Sequence, residues 1–84
     1  MSANRTERKN MNDIPFNSLD ASAKAVINGD LSDYQTLGKA GRLYVAIAAN
    51  RADLLADEGC SIVDAFSELG TVWAQAVVDR WRSR

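Results

Sequence analysis

Apolar side chains recur along this chain at intervals of three and four rather than at alternate positions, the spacing that gathers them on one face of a helix. The pattern starts at Asn17, where Asn17 or Ser18 has the short polar side chain of a helix cap. Leu19, Ala21, Ala23, Ala25 and Val26 then form a thin stripe that Gly29 closes. Asp30 and Ser32 both qualify as the next cap, Ser32 with Gln35 at capping-box spacing, ahead of Tyr34 and Leu37. Gly38 and Gly41 interrupt the pattern, and each glycine costs about 1 kcal/mol inside a helix. A break near Gly38 is expected.

Two longer stretches follow. The first runs from about Lys39 to Glu58, with Ala40, Leu43, Tyr44, Ile47, Leu54 and Leu55 on one face. Its opposite face is small: Gly41, Val45, Ala49, Ala52 and Ala56. The second opens at Ser61, with Asp64 at the third helical position, and runs to about Arg82. Its stripe includes Ile62, Phe66, Leu69, Val72, Trp73 and Val77. Only Gly59, Cys60 and Ser61 separate the two, which predicts an antiparallel helical hairpin of about 39–58 and 62–82. No segment alternates with a period of two, so no strand competes. The expected fold is all-α, a small helical bundle of about four helices around that central hairpin.

Each long helix presents more than one apolar face, and a lone hairpin buries only one. The surplus predicts association, as a homodimer through Val45, Ala49, Ala52, Ala56, Trp73 and Trp81 or by docking on another protein. The competing arrangement is a compact monomer in which the shorter N-terminal helices cover both long ones.

Composition narrows the picture. At 84 residues and 46% apolar side chains, the chain suits one domain. Residues 1–12 hold almost nothing to bury and read as a flexible tail, leaving 13–84 as the helical domain. There is no histidine, which removes the commonest general base and metal ligand, and the single cysteine, Cys60, excludes an internal disulfide. Neither a cofactor nor a metal site is expected. No apolar run is long enough to cross a bilayer, and no leader is legible, so the expected location is the cytoplasm without membrane contact.

The net charge of −1 conceals an uneven distribution. Between basic ends, residues 10–79 carry ten acids against four cations. Asp53, Asp57, Glu58, Asp64 and Glu68 cluster around the 59–61 turn. Asp64 suits a first turn, whereas Asp57 and Glu58 stand at a helix C-terminus, where the macrodipole opposes them. The patch is therefore a candidate contact for a basic partner, such as a nucleic-acid-binding protein; a solvated helix end is the plainer alternative. Arg51 falls within the large apolar face, either paired internally or anchoring an interface. The two glycines and two cations of 38–42 make at most a weak anion site, and Cys60 reads as a small packing residue. Arg80-Trp81-Arg82 resembles a nucleic-acid handle, but direct binding is disfavoured because the helix that would have to read bases opens on Asp64 and Glu68. The expected function is a non-enzymatic protein-interaction module: an adaptor, regulator or inhibitor, in the manner of acidic phage-encoded inhibitors. The alternative is a nucleic-acid accessory protein that uses its basic ends.

Overall fold

A computed structural model describes residues 16–82. Five helices and no strand occur among them: α1 (16–27), α2 (Ser32–Thr36), α3 (Lys39–Ala48), α4 (Ala52–Asp57) and α5 (Ile62–Trp81). The all-α fold follows from the helical spacing of the apolar positions. The chain is already helical at Phe16, so neither Asn17 nor Ser18 caps α1. The expected tail, 1–12, also lies outside them. At the expected break, Gly38 is extended and forms the N-cap of α3. Asp30 fixes the entry to α2, its carboxylate accepting from both the backbone N–H and the hydroxyl of Ser32. The Ser61–Asp64 capping box is formed as expected.

The long helix expected over 39–58 is two helices. Asn50 adopts a left-handed conformation (φ 59°), and Arg51 leaves the helical region altogether. The reason is a Schellman closure: the N–H of Arg51 donates to the Ala46 carbonyl, and that of Asn50 to Ile47. Asparagine tolerates this geometry far better than a branched residue does. The same pair of bonds ends α1 at Gly29 and α4 at Gly59.

That break changes the arrangement. Lys39 pairs with Glu68, Tyr44 packs edge-on against Trp73, and Ile47 and Ala48 share a hollow with Val77 and Val78. Positions along α3 and α5 thus advance together, so the two helices run in the same sense, with α4 carrying the chain back between them. The expected antiparallel pairing of one unbroken 39–58 helix with 62–82 is therefore not what packs.

α5 also departs from expectation, because Gly70 (φ 81°, ψ 171°) is non-helical and kinks it. A row of i, i+4 positions drifts about 40° per step around a straight helix. The kink divides that drift, so that Ala65 and Leu69 before it and Trp73, Val77 and Trp81 after it all reach the core.

α3 is the centre of the fold, with Leu43, Tyr44, Val45 and Ala46 fully buried. A helix apolar nearly all round needs neighbours all round, and here they come from the same chain. Gly41 shows how closely α1 approaches. A Cβ at this position would meet the Leu37 Cβ at 3.2 Å and the Leu19 Cδ2 at 3.3 Å.

Candidate functional site

The acidic cluster is taken up largely within the chain. Glu58 accepts from the Arg42 guanidinium at 2.7 and 3.2 Å, and Arg42 also donates to the Leu37 carbonyl. This pair supplies the compensation that the sequence did not show for an acid at a helix C-terminus. Asp53 receives two hydrogen bonds from Arg51, which hold its carboxyl below the usual range. Asp64 completes the α5 capping box, and Glu68 lies 3.4 Å from Lys39 in an exposed pair. Of the five, only Asp57 lacks an ion pair or side-chain hydrogen bond among the described residues. Arg51 does not sit in an apolar face: the Asn50 break places it in a surface linker with Asp53.

The six residues expected to mediate self-association do not all share a face, although Ala49 and Trp81 line one groove at the ends of α3 and α5. Val45 is core, Ala49 is half-buried, and Ala52 and Ala56 are exposed on α4, beyond the break. Trp73 belongs to an internal ring cluster with Phe16 and Tyr44, at centroid distances of 5.3 and 6.2 Å.

A polar hub absent from the sequence reading ties α1 to the end of α5. The Asp20 Oδ1 accepts from the Tyr44 hydroxyl and the Trp81 indole N–H, each at 2.7 Å. Its Oδ2 accepts from Arg80 Nε at 2.7 Å. Arg80 also donates to Asn17 and lies 5.8 Å from the Phe16 ring centroid. Burial, reinforced by donation to Asp20, pushes the Tyr44 phenol well above its ordinary range. The signal for the hub was legible: Asp20 is an acid on the same face as Phe16, Leu19 and Ala23. An acid on a buried stripe must have partners.

Tyr34 presents a second buried phenol, beside the Arg42–Glu58 pair. Its hydroxyl has no hydrogen bond of good geometry, and burial followed by the Glu58 charge raises its pKa. No three acidic or cysteine side chains among the described residues gather as metal ligands. No described helix is long and apolar enough to cross a membrane.

What remains open is an apolar groove of about 530 Å³ where α1, α3 and α5 end together. Ile27 forms one bank, the Ile47–Asn50 end of α3 the floor, and Val77, Val78 and Trp81 the other bank. Ile27 is 44% exposed and Val78 41%, so apolar surface at this site faces solvent. Trp81 is also a wall of a smaller, polar hollow of about 260 Å³ bounded by Asp20, Lys24 and Arg80. Sequence periodicity does not show the groove, because it arises only where three helix ends meet. No family model, curated protein or solved structure matches this chain.

Proposed function

We propose that this chain is a small non-enzymatic protein-interaction module, an adaptor, regulator or inhibitor, and that the groove between α1, α3 and α5 is its contact surface. The observation that carries this reading is the solvent-facing apolar lining, Ile27 and Val78 above all, in a chain that otherwise covers its own central helix. The acidic cluster is the weaker candidate, since four of its five carboxylates are engaged inside the chain. Residue chemistry favours binding over catalysis. There is no histidine, both phenols are held protonated above their usual range, and the Asp20 carboxylate already accepts three hydrogen bonds. The nucleic-acid alternative rests on basic ends that fall mostly outside the described residues; within them, Arg80 is held by Asp20.

The test is affinity capture from the source cells with the full chain and with Val78→Asp, followed by titration of each recovered protein in purified form. A partner that binds the original chain and loses at least most of its affinity for Val78→Asp is the expected result. Equal binding to both chains would remove the groove from the interface and end this reading.

A further inference from the structure

We infer that the occupant of this groove is an amphipathic helix of a partner protein that carries acidic side chains beside its apolar face; the inference rests on the interaction reading above. The groove is an open trough rather than a closed pocket, and its apolar banks come from Ile27 on one side and Val77, Val78 and Trp81 on the other. A trough of this kind accepts a row of side chains at i, i+3 or i+4, and i+7 from one helix face.

The charge at its rim selects the sign of the partner. Lys24 borders the polar hollow on one side of Trp81, and Arg82 borders the groove on the other. Neither makes an ion pair among the described residues, whereas the nearby Asp20 is already matched by Arg80. Arg82 thus borders the groove itself and Lys24 the adjoining hollow. Asp79, one turn before Arg82, accepts from Gln75 and makes no ion pair among the described residues. Lys24, Arg80 and Arg82 against Asp20 and Asp79 leave this end with a balance of +1. Glu58, Asp64 and Glu68 lie toward the other end of α3, where Arg42 and Lys39 meet Glu58 and Glu68. Ten helical residues separate the two ends by about 15 Å, beyond the screening length of about 8 Å at physiological salt. The helix C-termini that meet at the groove would favour a cation, but the last turns of α1 and α3 are closed by their Schellman bonds. The full charges of Lys24 and Arg82 then decide.

A second copy of this chain offers exposed Ile62 and Val63 beside Asp64 and Glu68. That contact would be head-to-tail, building a ring or a filament rather than a two-fold dimer, and it is an outcome of the test rather than the proposal.

The experiment is a display selection of random-sequence peptides on the full chain, with counter-selection on Val78→Asp and, separately, on Ile27→Glu. Circular dichroism confirms that both variants fold. Selected peptides are expected to share the three-anchor apolar spacing and a net negative charge. The double variant Lys24→Glu, Arg82→Glu should weaken them by about tenfold at low salt, and by less at high salt. Groove-dependent peptides that are neutral, basic or extended would overturn this inference and leave the interaction reading standing. A mass that grows with concentration and collapses in Val78→Asp would also overturn it, in favour of a second copy. The absence of any groove-dependent peptide would overturn both.

Discussion

Asp20 gathers three donors from two other helices onto one carboxylate: the Tyr44 hydroxyl, the Trp81 indole and the Arg80 guanidinium. Removing the acceptor strands the buried Tyr44 hydroxyl and the half-buried Trp81 indole, and each stranded group costs about 1–3 kcal/mol. Asp20→Ala is therefore expected to lower stability by about 3 kcal/mol in urea denaturation, and Asp20→Asn by less, because one oxygen acceptor survives. An unchanged urea midpoint in Asp20→Ala would mean that the hub contributes nothing. The chain's two tyrosines give a second check, since both phenols are raised by burial. A raised folded pKa means that the folded state holds the proton longer. The associated stability is intact below the ordinary tyrosine pKa of about 10 and is lost as pH climbs through the folded values. Phenolate absorbance of the folded chain should thus rise at higher pH than that of the urea-unfolded chain. Coincident titration curves would contradict the burial of Tyr34 and Tyr44.

At the scale of elements, the two long helices are shaped by single residues with unusual backbone angles. Gly70 is the sharper case, because its φ of 81° and ψ of 171° belong to a region open essentially only to glycine. In a continuous helix, Gly70→Ala would add about 1 kcal/mol of stability. At a kink of this geometry the same change should cost about 1–3 kcal/mol. The sign of the measured change, by chemical denaturation, distinguishes a kinked α5 from a straight one. The kink also explains why Val72, a member of the expected stripe, is 71% exposed while Trp73 faces the ring cluster. Had α5 continued unbroken, its second half would have carried a different face inward.

For the molecule as a whole, the surplus of apolar surface is mostly consumed at home. α3 is enclosed by its own chain, and Gly41 allows α1 to pack directly upon it. The leftover apolar side chains are Ile62, Val63 and Val72 along α5 and Ile27 and Val78 in the groove where the helix ends meet, and at the groove binding and stability should separate. Val78→Asp and Ile27→Glu are expected to change stability by no more than about 0.5 kcal/mol, as exposed positions usually do, while each removes groove-dependent binding. Loss of stability in both variants would show that these side chains serve the core instead. Sedimentation of the original chain then reports whether any self-association remains when, of the expected dimer residues, only Ala49 and Trp81 line the open groove.

The apolar periodicity, Gly29, the Ser61–Asp64 box and the break at Gly38 determined that this chain is all-α and where several of its helices begin or end. Those signals act within one or two turns of chain, so they are legible locally. Asn50 was also legible as a residue suited to a left-handed cap, but the flanking apolar spacing continues across it and outweighs a single asparagine. Three outcomes belonged to the tertiary structure: the common direction of α3 and α5, the use of Glu58 by Arg42, and the assembly of Ile27, Val78 and Trp81 into one groove. Each joins residues at least sixteen positions apart. Their meeting depends on how the kinks at Asn50 and Gly70 aim whole helices, and no local spacing encodes that direction.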